Sequence, residues 1–321
     1  MKAKDRFGSR PRRATLEPPP PPPRTADAGW QANPYDALLQ SPNWLDAIRA
    51  TMSPPVTTIT RFAGSEFPEA LIRIPDDWSS VVLAPLYDAH VGSKHHDGAL
   101  FQEHLAWIAG TPNVLSWSGG DLLENASKVS PGSGVYEQIP PHEQIKHALA
   151  HVATVRHKLI ALLAGNHEDR LLQLGVDVSE WLAQVLGVPY FPGYAMLRLL
   201  WRGQALNVFA HHGAGSAQTA GAQMLNIRRE LPWAHGFDLY WFGHLHRSLH
   251  AKEMRVMHDP ETNRVVAREA YVIMSPSYLK SFGGSYAERK RLAPTTRGMV
   301  IVEWQPSGRL DLQEHAAGKR F

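Results

Sequence analysis

The sequence predicts an α/β fold, two facing mixed β-sheets flanked by helices, and three observations predict it. Between Val81 and Leu186, short apolar runs alternate with helix-patterned stretches, as in parallel strands joined by helical crossovers. From Met196 onward, β-type runs flank short polar turns, as in antiparallel hairpins. The apolar runs also end repeatedly at glycine, aspartate, asparagine or histidine, which gathers polar side chains along one sheet edge.

The elements follow in chain order. Residues 1–28 read as a disordered tail: Lys2, Lys4, Arg6, Arg10, Arg12 and Arg13 make it basic, and the proline run Pro18 to Pro23 is confined to polyproline II, a stiff spacer. Residues 29–78 read as an N-terminal extension packed on the main domain, residues 79–321. Leu38, Leu39, Trp44, Leu45 and Ile48 follow a roughly helical spacing there, and Val56, Ile59, Phe62, Leu71 and Ile74 are β-type. Val81–Leu86 is continuously apolar, so it predicts a buried central strand, and Asp88 follows it. Asp97–Ala109 predicts a helix and Val114–Trp117 a strand that runs toward Asp121. Glu143–Arg156 and Leu159–Ala164 repeat the unit toward Asn166, which specifies right-handed parallel crossovers.

Ser179–Leu186 reads as a further helix, closed by Gly187 and Pro189. Met196–Trp201 and Ala205–Ala210 flank Arg202-Gly203-Gln204 and predict a hairpin. Leu239–Phe242 is a short strand. Leu249–Met257 and Arg264–Met274 flank a polar turn at 259–263 and predict a second hairpin, and Gly298–Trp304 is read as the final strand.

Composition narrows the class. With 321 residues, 43% of them hydrophobic, the chain can bury one large core. Zero cysteines exclude disulfides and thiolate ligands. No apolar stretch approaches the ~20 residues that span a bilayer, and the basic N-terminus lacks the apolar segment of a signal peptide. The expectation is a cytoplasmic protein with no membrane partner. A net charge of +3 is too small to imply nucleic acid by itself.

Function is carried by five segments: Asp88-Ala89-His90, Gly119-Gly120-Asp121, Gly165-Asn166-His167-Glu168, His211-His212-Gly213 and Gly243-His244-Leu245-His246. They hold six of the 17 histidines. An isolated Gly-Asp is more often a turn or helix-cap aspartate, and an isolated asparagine more often a turn residue; together the five read as metal ligands. Donors limited to nitrogen and oxygen suit manganese, iron, zinc or nickel, and disfavour a structural zinc site or an iron–sulfur cluster.

In this order and context the segments resemble the calcineurin-like metallophosphoesterase superfamily, over roughly Val81 to Trp304. Other pieces, including Gly-Asp-Leu-Leu-Glu-Asn and Gly-Ser-Tyr-Ala-Glu, are similar to its phage and prophage members. The resemblance implies a catalytic domain that hydrolyses phosphate mono- or diesters with two divalent ions, manganese first, by a metal-bridging hydroxide. Matched residue by residue, it implies Asp88, His90 and His246 on the first ion, Asn166, His212 and His244 on the second, and Asp121 between them. Glycine after the ligand favours His212 over His211, which should face the other way in an extended segment. His167 resembles the proton donor to the leaving oxygen, with Glu124 as its orienting carboxylate. The position after Glu124 is Asn125, where the protein-phosphatase branch has arginine; Arg170 is the candidate replacement cation for the substrate.

His95 and His96, in the loop after the first segment, and His211 are further candidates to line the substrate cleft. The loop Val129–Pro141 is placed to select substrate. Ser281–Arg291 is basic and glycine-bearing, with Tyr278 and Tyr286 nearby, so either phosphate or a nucleic-acid backbone fits it. Two alternatives stand beside the phosphoesterase reading. One is a DNA or RNA nuclease using the same ions; the other is a binding protein on a retired phosphoesterase fold, which should have lost ligands.

Overall fold

The computed structural model describes residues 35–62, 64–126, 139–259 and 262–316. The expected tail at 1–28, the proline run, most of the loop at 129–141 and the centre of the turn at 259–263 lie outside the described residues.

Helices α1 (Asp36–Leu39) and α2 (Trp44–Thr51) precede strands β1 (Thr58–Arg61) and β2 (Glu69–Arg73). The parallel part of the chain runs β3 (Val81–Leu83), α3 (Gly98–Gly110), β4 (Val114–Ser118), α4 (Pro141–Ala153), β5 (Leu159–Leu163), α5 (Asp169–Leu172), α6 (Val178–Leu186) and β6 (Tyr190–Phe191). It continues as β7 (Tyr194–Trp201), β8 (Gln204–His211), α7 (Ala220–Arg228), β9 (Leu239–Phe242), β10 (Leu249–Asp259), β11 (Arg264–Met274), α8 (Tyr286–Arg289), β12 (Gly298–Trp304) and β13 (Leu310–Ala316).

Local chemistry sets several boundaries. The Asp97 carboxylate accepts the Leu100 amide at 3.5 Å to start α3, and Asp177 accepts the Glu180 amide at 2.9 Å to start α6. Gly187, at φ +63°, ends α6 in the left-handed conformation that glycine adopts without a Cβ penalty.

The strands form two sheets. The smaller has the order β13-β12-β3-β4-β5-β6, with β3 to β6 parallel; the larger has the order β1-β2-β7-β8-β9-β11-β10 and mixes both directions. Residues of β3, β4 and β5 are buried throughout, which explains their unbroken apolar sequence. Between the sheets lies one aromatic-rich core. Trp117 and Trp241 meet edge to face across it at 5.2 Å, and Trp201 meets Trp304 at 5.4 Å. A second core packs α1 to α4 and α6 on the outer face of the smaller sheet, and a third packs α7 and neighbouring loops on the larger one.

Three features differ from the sequence expectation. The stretch at 58–73 adds β1 and β2 to the larger sheet, with β2 parallel to β7 from Glu69–Met196 to Arg73–Leu200. This part of the extension is thus continuous with a sheet of the domain it was expected to pack against. After the expected last strand, β13 pairs antiparallel to β12; its mixture of Leu310, Asp311, Gln313, Glu314 and His315 hides an edge strand that is only partly buried. β3 stops at Leu83, short of the expected Leu86, and beyond it the pairing continues as isolated bridges from Leu86 to Ser118 and from Val91 to Leu123. No helix among the described residues is long and apolar enough to cross a membrane.

Candidate metal centre

The parallel strands deliver the donors to one edge. Asp88 and His90 lie just beyond β3, Asp121 beyond β4, Asn166 beyond β5, His212 beyond β8, and His244 and His246 beyond β9. The loops interlock: the Asp88 amide donates to the Gly120 carbonyl at 3.1 Å, the His90 amide to the Asp121 carbonyl at 2.9 Å, and the His244 amide to the Asp88 carboxylate at 2.9 Å.

Two donor groups share one carboxylate. Asp88, His90, Asp121 and His246 bring one ligand atom each within 4.8 Å of one another, and so do Asp121, His212 and His244. The Asn166 carbonyl oxygen joins the second group, 2.7 Å from His244 Nδ1 and 3.1 Å from His212 Nε2. Asp121 Oδ2 lies 3.3 Å from His212 Nε2 and 3.9 Å from His90 Nε2.

This donor set fits two divalent cations. Asp88 and Asp121 are fully buried, and among the described residues their carboxylates have only histidines as ion-pair partners, with no lysine or arginine. Buried carboxylates without a permanent cation are costly unless an ion supplies the charge. His90 Nε2 and His246 Nε2 also face each other at 3.2 Å, so two imidazole nitrogens converge on one point. Three of the four imidazoles are oriented from behind, as metal-binding histidines are: His212 Nδ1 contacts the Gly119 carbonyl at 3.0 Å, His244 Nε2 the Gly215 carbonyl at 2.9 Å, and His90 Nδ1 lies 3.1 Å from the Glu124 carboxylate.

The electrostatics describe the same charge demand. Burial opposes protonation of His212, yet Asp121, Asp88 and Glu168 outweigh it and hold its pKa up at about 10. Burial likewise opposes ionisation of Asp121, but His212, His167 and His90 hold its carboxyl well below the usual range.

Backbone conformation is equally specific. Asp88, His90, Asp121, His244 and His246, five of the seven donors, have φ between 51° and 66°. Non-glycine residues rarely adopt this left-handed region, and they cluster at functional sites when they do. Gly165 answers a different need, since a Cβ there would stand 2.3 Å from the Asp121 amide nitrogen.

Glu168 is the residue that sequence reasoning missed. Its carboxylate is buried and accepts three backbone amides, from Asp121 at 2.9 Å, Leu123 at 2.8 Å and Gly165 at 3.0 Å. One side chain therefore ties the loop of the shared carboxylate to the loop of Asn166. Burial, then the charge of Asp121, push its carboxyl up to about 7 against the pull of those amides. Its place directly after Asn166-His167 was the available signal.

The remaining candidates fall in three places. His167 is beside the centre, with Nε2 3.8 Å from Asp121 Oδ2, and its Nδ1 meets the Glu124 backbone carbonyl. Arg170 donates to that carbonyl at 2.9 Å and stands 3.0 Å from His167 Nδ1. Burial, together with His90 and Arg170, lowers His167 to about 4. The Glu124 carboxylate, expected to orient His167, lies 4.0 Å from His167 Nδ1 and nearer to His90 Nδ1, at 3.1 Å. His90, Glu124 and His167 form a further cluster with ligand atoms within 4.8 Å of one another, and the Glu124 backbone carbonyl is the closer partner of His167 Nδ1. His211 lies in neither donor group and packs its ring near Phe209 and Phe242. His95 is buried outside both groups, and its backbone carbonyl accepts the Lys280 amide at 2.8 Å.

No family model matches the chain, and no curated protein matches it. Among solved structures, it is similar to a metallophosphoesterase from Sphaerobacter thermophilus, at 14% identity and a TM-score of 0.37 over 75% of this chain and 90% of that one. It is also similar to NAD nucleotidase (NadN) from Haemophilus influenzae, at 10% identity and a TM-score of 0.34 over 73% of this chain and 49% of that one. At these TM-scores the functional reading stands on the geometry of the site.

Proposed function

We propose that the chain is a hydrolase of phosphate esters, a metal-dependent phosphoesterase of the calcineurin-like type that uses two divalent ions. The observation that carries this reading is the meeting of two largely buried donor groups at the Asp121 carboxylate. Asp88, His90 and His246 would hold one ion, Asn166, His212 and His244 the other, and Asp121 both; manganese is the expected metal. When bound, the ions supply positive charge against the phosphoryl oxygens and make water acidic enough to attack near neutral pH.

The chain's own residues do the rest. Glu124 and Arg170 fix His167 through the carbonyl that meets its Nδ1, so Nε2 is the nitrogen that faces the centre. A histidine lowered to about 4 is neutral before substrate arrives. A phosphate dianion beside it would raise that value and let Nε2 hold the proton needed at the leaving oxygen. Arg170 keeps donors at the same edge and would bind a non-bridging phosphate oxygen.

The test is metal analysis and turnover on the same purified sample. Two divalent ions per chain, loss of nitrophenyl phosphate or bis-nitrophenyl phosphate hydrolysis in chelator, and recovery with manganese are expected. Full hydrolysis in chelator with no bound metal refutes the reading.

A further inference from the structure

The segment after β11 returns to the metal-site loops before it reaches β12. The Tyr278 amide donates to the Asp88 carbonyl at 3.0 Å, its carbonyl accepts the Asp97 amide at 2.7 Å, and the Lys280 amide donates to the His95 carbonyl at 2.8 Å. Bridges from His96 to Leu279 and from Ser277 to Arg297 close the base. The loop from Ser281 to Thr296 therefore rises from the rim beside Asp88 and His90.

This loop is folded on itself. Ser285 Oγ donates to the Ser281 carbonyl at 2.6 Å and accepts the Glu288 amide at 3.1 Å, while the Glu288 carboxylate accepts the Gly284 amide at 2.7 Å. On that frame two aromatic rings face solvent, Phe282 at 63% and Tyr286 at 40% exposure. Lys280, Lys290 and Arg291 are exposed beside them, without an ion-pair partner among the described residues. The single carboxylate of the stretch, Glu288, is already engaged within the loop.

Exposed rings and unpaired cations on an ordered loop, next to a phosphate-ester site, match the two surfaces of an unpaired polynucleotide. Bases stack on the rings and phosphates meet the cations. The apolar part is small, which disfavours a lipid bilayer, where area of insertion sets the affinity. We propose that the 280–291 loop is a docking platform for single-stranded nucleic acid, holding a strand so that one phosphodiester approaches the metal centre. The proposal rests on the phosphoesterase reading and names its substrate class.

The test is fluorescence anisotropy of labelled oligo(dT) and oligo(U), in chelator so that binding is read apart from hydrolysis. The wild type should bind at least one of them. F282A/Y286A should weaken binding about ten- to hundredfold, as expected for losing stacked bases. K290A/R291A should lower the slope of log affinity against log salt by about 0.7 for each cation removed. With manganese, both variants should hydrolyse bis-nitrophenyl phosphate at the wild-type rate, which also shows that they are folded. No oligonucleotide binding, equal binding by folded variants, or binding only to phosphatidylserine vesicles overturns the platform. Loss of nitrophenyl ester hydrolysis by the wild type with manganese would instead overturn the phosphoesterase reading.

Discussion

Glu168 accepts the backbone amide of Asp121 at 2.9 Å, from a position directly after His167. Asp121 is thus held through its main chain, and its Oδ1 also accepts the His167 amide at 2.8 Å, which leaves Oδ2 turned toward the histidines of the centre. A glutamine at 168 has one acceptor oxygen where three amides now converge, so at least one amide loses its partner. Glu168→Gln should cost about 1–3 kcal/mol of stability in urea unfolding and weaken manganese binding in calorimetric titration. Unchanged affinity at both ions would refute the tie between the two loops.

Asn166 and His167 are adjacent but should fail differently. Asn166→Ala removes the oxygen next to His212 and His244 and should empty the second ion site. His167→Ala should leave metal content intact and slow turnover by about 10²–10⁴ on substrates with poor leaving groups. The loss should be small for nitrophenolate, which departs without a proton. Equal metal loss in both variants, by elemental analysis, would remove the role given to His167.

The two histidines at the end of β8 should separate as cleanly. His212→Ala takes away a donor 3.3 Å from Asp121 and should cost at least about a hundredfold in rate, the scale of losing a charge-stabilising group. His211→Ala touches only a ring packed near Phe209 and Phe242 and should keep both ions. Rates measured at saturating manganese decide it; the reverse pattern would exchange the two assignments.

Acid stability has a sign that the buried histidines fix. Burial lowers His104 and His151 to about 3, so the folded state keeps them neutral while the unfolded state takes up protons near pH 6.5. Their contribution is complete above that value and is lost as pH falls toward 3. His212, held up at about 10, has the opposite sign, but below about pH 6 it is protonated in both states. Urea unfolding in chelator should therefore lose about 1.4 kcal/mol per pH unit for each of His104 and His151 between about pH 6 and 5. His104→Gln should flatten that slope, and a flat wild-type profile would contradict the burial of these rings.

The layered fold was legible, and so was the meeting of the five segments at one edge, because each signal is local. An apolar run, a glycine and a polar residue sit side by side in sequence, and parallel topology does the gathering. What escaped was set by distance along the chain. Glu124 contributes its backbone carbonyl to His167 and its carboxylate to His90, a division no side-chain pattern announces. The joining of β2 to β7 depends on residues over a hundred positions apart, and β13 is an edge strand whose polar residues resemble a tail. Glu168 was visible as a letter, but its work is done on main-chain amides, which sequence does not display.

Five donors hold left-handed backbone at positions where glycine or asparagine would rest more easily. In the absence of metal, the fold and the centre therefore pull in opposite directions at the same residues. A library selected for heat resistance in chelator should accumulate glycine or asparagine at positions 88, 90, 121, 244 and 246, yielding sturdier proteins that no longer bind manganese. Selection with manganese present should keep the original side chains, because ion binding then stabilises the strained form. The direction in which such a population drifts would report which ligands the protein needs, without a substrate ever being supplied.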